Sequence, residues 1–276
     1  MYLRTIEIYC FVDDLLKSIN HREDSRRKFT DSELLSAAVI AMLFFGGNFE
    51  AARRFLTSSG LMPRMLSRSR FSRRLHKASA LLEFVFAEFS KHRKQHNWQK
   101  LYLMDSFPVS VCDNIRINRC RIIQDCGWRG YRVSHRRFFY GVRVSVLSDA
   151  DGVPVELCIL PGSAQDLSGL AELPLDLPAE SKIVLDAAYT YFEWEDYLLE
   201  REQIELLVQR KHNSRRADVP ATKDYKQIMR KQIETIFSDI NKLFAKKIHA
   251  VTVSGFILKV ALFVIAFAFN KAIFLN

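Results

Sequence analysis

Apolar positions recur at helical spacing through the first hundred residues, then switch to short runs and alternations of strand length. TDSELLSAAVIAML carries a capping-box start, Thr30 with Glu33 three residues later, and Gly46-Gly47 stops the helix it predicts. NFEAARRFL follows as a second helix capped by Asn48, and SRSRFSRRLHKASALLEFVFAEF as a long third, set apart by Gly60 and Pro63. From residue 100 the pattern predicts strands at LYLM (101–104), 138–147, 153–160, 181–186 and 204–208. SDADG makes a hairpin of the second and third strands, and helices are predicted around 166–173 and at 192–202. A last amphipathic helix, 223–246, carries Ile233, Ile236, Phe237, Ile240 and Phe244 on one stripe, the spacing of a helix packed on a sheet. A hairpin followed by two strand–helix units implies a mixed five-stranded sheet flanked by helices, preceded by an all-α region.

Charge sharpens this picture. The chain carries a net +10, unevenly distributed. Residues 1–100, 115–137 and 209–247 are basic, while 148–207 holds 14 acidic residues against two basic ones. Such segregation points to a polyanionic partner. Arg53, Arg54, Arg64, Arg68, Arg70, Arg73 and Arg74 cluster near the junctions of the first helices, which suits a helix-turn-helix-like module for double-stranded DNA; a solvated helical bundle is the plain alternative. The loop 115–137 holds Arg116, Arg119, Arg121, Arg129, Arg132, Arg136 and Arg137 with Trp128 and Tyr131, a composition suited to phosphate contact and to stacking on an unpaired base. Loop 209–216 reads similarly, less strongly.

The five cysteines include no C-x-x-C pair, which favours reduced cytosolic thiols over a zinc site. The apolar tail 256–276 is interrupted by Lys259, Asn270 and Lys271; its longest uninterrupted run, Val260–Phe269, is short of the roughly 20 residues a span needs, so a buried core helix and no membrane partner are expected.

Two of the predicted strands end in aspartate: LYLMD at Asp105 and KIVLD at Asp186. Functional groups gather at the carboxyl ends of strands in α/β sheets, and neighbouring carboxylates resist joint ionisation unless a cation sits between them. Oxygen-only ligands suit Mg²⁺ or Mn²⁺, and Glu234, at the edge of the last helix's packed face, could supply a third. Three carboxylates converging on two such ions are the equipment of in-line phosphoryl transfer. Either Asp alone could be only a turn former or cap, Asp186 over residues 187–189 for instance. His135 and His249 read as structural, because a two-metal carboxylate site needs no histidine base; Asp166 reads as a loop or cap residue, and Asp113, beyond the strand, as no metal ligand.

DSFPVSVCDNIR (105–116), FYGVRVSVLSDADGVPVELCILPGSAQD (139–166), VLDAAYT (184–190) and RKQIETIFSDI (230–240) together resemble the DDE transposases of bacterial insertion sequences, in the RNase H-like, retroviral-integrase superfamily. The resemblance implies an RNase H-like catalytic domain over 100–276 and a DNA-binding domain over 1–99. It implies Asp105, Asp186 and Glu234, spaced 81 and 48 residues apart, as catalytic metal ligands for two Mg²⁺ or Mn²⁺ ions. Arg230 matches the arginine such enzymes carry one turn before the glutamate, which contacts end phosphates. The implied reaction is cleavage and strand transfer at the element's ends by a homo-oligomer on paired ends, in the cytoplasm. Departures are Gln227 where relatives carry Tyr, Asn241 where they carry Lys, and Ala188 where they carry Gly. A catalytically inactive end-binding protein and an RNase H-like nuclease of other purpose remain alternatives.

Overall fold

The computed structural model describes residues 1–132 and 136–275, so His135 lies outside the described residues. The chain divides into two compact units, Met1–Phe89 with Lys242–Asn276, and Ser90–Asn241.

In the helical unit, α1 (Tyr2–Ser18), α2 (Asp31–Phe45), α3 (Phe49–Ser58), α4 (Arg68–Lys77) and the part of α5 (Ser79–Gln95) up to Phe89 follow in order, with α9 (Val253–Leu275) closing the chain; residues 90–95 of α5 count with the second unit. The capping box of α2 forms as its sequence predicts: Glu33 N donates to Thr30 Oγ1 at 3.1 Å, and Thr30 N donates to the Glu33 carboxylate at 2.6 Å. Gly46 ends α2 in the left-handed region; a Cβ on Gly47, also at positive φ, would lie 3.1 Å from the Phe263 ring. Asn48 Oδ1 then accepts from Glu50 N and Ala51 N, and α3 leaves at 108° to α2. The single long helix expected from residue 67 is instead two, broken at Ala78 without a proline or glycine.

By length and composition α9 could cross a membrane, but its residues from Val260 to Phe269 are nearly all buried within the unit. Two of its polar interruptions, Asn270 and Lys259, are hydrogen-bonded there. Arg4 Nε donates to Asn270 Oδ1 at 3.0 Å, and Lys259 Nζ to the His249 carbonyl at 2.6 Å. These features make α9 a core helix.

The second unit is an α/β fold around a mixed sheet: β1 (Leu101–Cys112), β2 (Arg129–Arg132), β3 (Arg137–Asp149), β4 (Pro154–Pro161), β5 (Ser181–Leu185) and β6 (Ile204–Val208). The order is β2-β3-β1-β5-β6, with β4 also on β3; pairing is antiparallel through β1 to β4 and parallel for β1-β5-β6. The RNase H-like α/β expectation holds, with six strands rather than five because a short strand forms inside the arginine-rich loop.

The first strand also corrects the expected boundary. It does not stop at Asp105 but runs to Cys112, because Phe107, Val109 and Val111 keep alternating inward while β3 pairs along it. What stops near Asp105 is the parallel neighbour: β5 pairs only with Leu101–Leu103.

Tyr102, Met104, Ile183, Leu185, Leu206 and Val208 build the core with Leu170, Leu173 and Leu198 contributed by and around α6 (Asp166–Glu172) and α7 (Phe192–Glu202). Alternation sends Leu103, Asp105 and Phe107 to the opposite face. There α8 (Pro220–Leu243) buries Ile233, Ile236, Phe237 and Ile240, each worth about 1.5–3 kcal/mol as an upper estimate, and Phe237 meets Phe107 edge-on. Phe244, the fifth residue of the predicted stripe, lies past the end of α8 and stacks on Phe263 in the helical unit.

Candidate active site

The parallel register brings the two aspartates to one edge. Leu103 pairs with Val184, so two residues further along each strand come Asp105 and Asp186. Beside them β6 ends, where Gln209 N donates to the Leu185 carbonyl at 3.0 Å. Across this edge α8 presents Arg230, Ile233 and Glu234. Asp105, Asp186, Gln209, Lys226, Arg230 and Glu234 line one small pocket of about 50 Å³.

The three carboxylates sit in different environments. Asp105 is partly buried and, among the described residues, accepts only the adjacent Ser106 N–H, at 2.7 Å. Burial pushes its pKa up to about 7; the Ser106 hydrogen bond opposes this, the charges of Asp166 and Asp186 add to it, and Arg230 opposes it. Asp186 is about half exposed and caps the turn that follows, accepting from Ala187 N at 2.6 Å. The capping alternative is thus observed, and it leaves Asp186 Oδ2 uncommitted by that bond. Glu234 is the most exposed of the three and is paired one turn back with Arg230, whose Nε donates at 3.0 Å.

Residues 95–251 match the family described as a transposase DDE domain. The chain belongs to the DDE transposase family. No curated protein and no solved structure matches it.

The DDE transposase domain carries all three acidic residues inside the matched span. Their donor chemistry fits a hard divalent cation: every donor is a carboxylate oxygen, and the partly buried Asp105 has no ion-pair partner among the described residues. Their spacing does not yet form a cluster. Among the described residues, no three His, Cys, Asp or Glu side chains stand close enough to hold an ion. The expected convergence on two metals is therefore met only as a shared pocket. Arg230 lies among them: besides pairing with Glu234, its Nη1 donates to Gln209 Oε1 at 2.8 Å and lies 3.9 Å from Asp186 Oδ1.

A second set of polar groups, unforeseen from sequence, adjoins Asp105. Arg143 Nη1 donates to Asp166 Oδ1 at 2.7 Å and to Ser106 Oγ at 3.1 Å, and Ser106 Oγ donates to Asp166. Asp166, read from sequence as a loop or cap residue, is the first residue of α6, after the N-cap Gln165, and the partner of Arg143. Tyr189 is fully buried, its hydroxyl held far above its usual range by burial and by the charges of Asp105 and Asp166. Lys226 carried no sequence signal; Gln209, Ser106 and Asp166 fell inside segments singled out from sequence but were not themselves marked as site residues.

The basic candidates separate on inspection. Arg116, Arg119, Arg121, Arg136 and Arg137 are exposed and make no ion pair among the described residues. Arg129 is exposed with its guanidinium over the Phe138 ring at 4.5 Å, and Phe138 packs edge-on against Tyr131. Arg132 is committed instead to the Pro108 carbonyl at 3.2 Å, and burial lowers its pKa. In the helical unit Arg70 and Arg73 stand exposed on α4, whereas Arg74 bonds Asp31 at 2.6 Å and the Phe29 carbonyl. The sequence pattern grouped these arginines because the partner of Arg74 lies 43 residues away.

Proposed function

We propose that the protein cuts DNA at the ends of a bacterial insertion sequence and joins the freed ends to target DNA, with Asp105, Asp186 and Glu234 as its catalytic carboxylates. The observation that carries this reading is the common pocket the three residues line at the edge where β5 and β6 end. The carboxylates would hold two Mg²⁺ or Mn²⁺ ions, whose chemistry is to activate the attacking oxygen and stabilise the leaving one.

The chain's own residues do the rest. Asp105 is fixed on a strand paired on both sides up to Leu103, so its carboxylate is rigidly aimed. Asp186 is oriented by the turn it caps. Glu234 is held by the burial of Ile233 and Ile236 on either side of it. Arg230 and the exposed arginines of 116–137 bind and orient the phosphodiester backbone. In the first step a water oxygen attacks the scissile phosphorus in line and the bond to the 3′ oxygen breaks, leaving a 3′-OH. In the second, that 3′-OH attacks a target phosphorus and a target 3′-OH departs. No covalent bond to the protein forms in either step.

Residues 1–99, with α2 and α3 at 108° across a Gly-Gly-Asn turn and Arg70 and Arg73 exposed, are read as the end-recognition module. The active form is read as a homo-oligomer on paired ends, acting in the cytoplasm. The test is cleavage of a labelled duplex carrying the element's terminus, with Mg²⁺. Wild type is expected to nick at the end and Asp186→Asn to be inert; nicking by Asp186→Asn at the wild-type rate overturns the assignment. A protein that binds the duplex but never nicks it would favour the inactive end-binding alternative.

A further inference from the structure

We propose that Arg230 is a built-in counter-cation that competes with the divalent metal and leaves the pocket when a DNA phosphate offers it a better partner. The inference rests on the carboxylate assignment above and adds to it a coupling between the two ligands.

The geometry is specific. Arg230 reaches three pocket groups at once: Glu234 through Nε at 3.0 Å, Gln209 through Nη1 at 2.8 Å, and Asp186 at 3.9 Å from the same Nη1. The fork thus spans the gap between the two carboxylates that β5 and α8 contribute. With it there, no three acidic, histidine or cysteine side chains among the described residues stand close enough together to hold an ion. A metal bound by Asp186 and Glu234 would need the same oxygens and would repel the guanidinium. Guanidinium and metal are therefore alternative occupants.

The exchange costs little on the protein side. Arg230 is about half exposed, Glu234 more so, and the pair is an i, i+4 contact on a helix surface, which is among the weakest of ion pairs. A phosphate outcompetes it, since a guanidinium binds phosphate oxygens through two parallel N–H bonds, whereas here Nε and Nη1 are divided between separate acceptors. Asp105 is not held by the fork: it is partly buried and makes no ion pair among the described residues, while the contacts of Arg230 go to Glu234, Gln209 and Asp186. Free protein is thus expected to be a poor metal binder, and DNA to assemble the metal site by withdrawing Arg230. This would confine phosphodiester cleavage to the DNA-bound state.

The test is a Mn²⁺ titration of DNA-free full-length protein by calorimetry. Arg230→Gln is expected to bind Mn²⁺ about fivefold tighter than wild type, the loss of one competing surface ion pair. Lys231→Gln removes the same charge from an exposed neighbour that makes no ion pair among the described residues, so it measures the general field alone and is expected to change affinity less than twofold. The proposal is overturned if Arg230→Gln binds no tighter than wild type, or if Lys231→Gln tightens binding equally. Asp186→Asn, titrated alongside, separates the two layers: unchanged Mn²⁺ affinity there overturns the ligand assignment itself. In a second arm, Ca²⁺ is expected to tighten binding of a short duplex to wild type and not to Arg230→Gln; equal tightening in both overturns the coupling.

Discussion

Asp149 and Asp105 sit on the same antiparallel strand pair, three ladder positions apart: Asp149 faces Tyr102, and Asp105 faces Val146. Asp149 is buried and Asp105 partly so, and burial raises the pKa of both. Their surroundings differ. Asp149 accepts from Arg93 Nε and from Val153 N, each at 2.9 Å, so the charge it retains is met by a cation and a backbone donor. Asp105 accepts one backbone hydrogen bond and faces two further carboxylates. A buried carboxylate in direct contact with a cation holds the fold together; one with no ion pair of its own, beside others of its own sign, marks a place prepared for a ligand.

The comparison breaks most sharply in catalysis. Asp105→Asn, Asp186→Asn and Glu234→Gln should each lower strand cleavage by on the order of 10²–10³-fold or more, while Asp149→Asn should leave the cleavage rate of the folded fraction near wild type. Quantitative gel assays at matched folded concentration separate the two classes. Stability should reverse the order. Arg93→Met strands Asp149 and is expected to cost roughly 3 kcal/mol in urea unfolding of the metal-free protein.

Asp105→Asn should instead stabilise the metal-free protein at pH 8. The folded carboxyl keeps its proton up to about pH 7, while the unfolded chain releases it near pH 4, so stability falls as pH rises between those values and stays low above them. Removing that penalty is worth about 2 kcal/mol at pH 8 once solvent screening is allowed for, and almost nothing at pH 4. Urea midpoints of both proteins in chelator at the two pH values check this; a destabilised Asp105→Asn at pH 8 contradicts it.

The smallest effects belong to the exposed arginines of α4. Arg70→Gln and Arg73→Gln should each lower the salt slope of DNA binding by about one and leave stability within about 0.5 kcal/mol of wild type. Arg74→Gln should mainly destabilise, because it leaves Asp31 buried without its closest guanidinium.

Much of this architecture was legible because it is local. Strands β3 to β6 and helices α6 to α8 announce themselves by period and by turn residues such as Gly152, and the α8 stripe named its buried face through Ile240. The two strand-end aspartates could be picked out because each closes an apolar run. What escaped was set by distant partners. Asp105, Ser106, Pro108 and Ser110 look like a loop until β3 is seen to pair beside them. Strand β2, four residues of RGYR, has no apolar run to mark it; it exists because Phe138 and Tyr140 lie opposite. The placement of α9 with the N-terminal helices depends on Arg4 and Phe11, more than 250 residues away. Among the candidate site residues, the Arg230–Glu234 turn was readable from spacing, but Gln209 as its third contact and Arg132 and Arg74 as internal braces were not.

The central claim is that three carboxylates from β1, the end of β5 and α8 act as one phosphoryl-transfer site. Its most direct test is joining of a pre-cleaved duplex, carrying the element's end and a free 3′-OH, to plasmid DNA in Mg²⁺. Wild type should produce covalently joined product, while Asp105→Asn, Asp186→Asn and Glu234→Gln should each remain at background although they still bind the duplex. Joining at the wild-type rate by any one of the three would contradict the account.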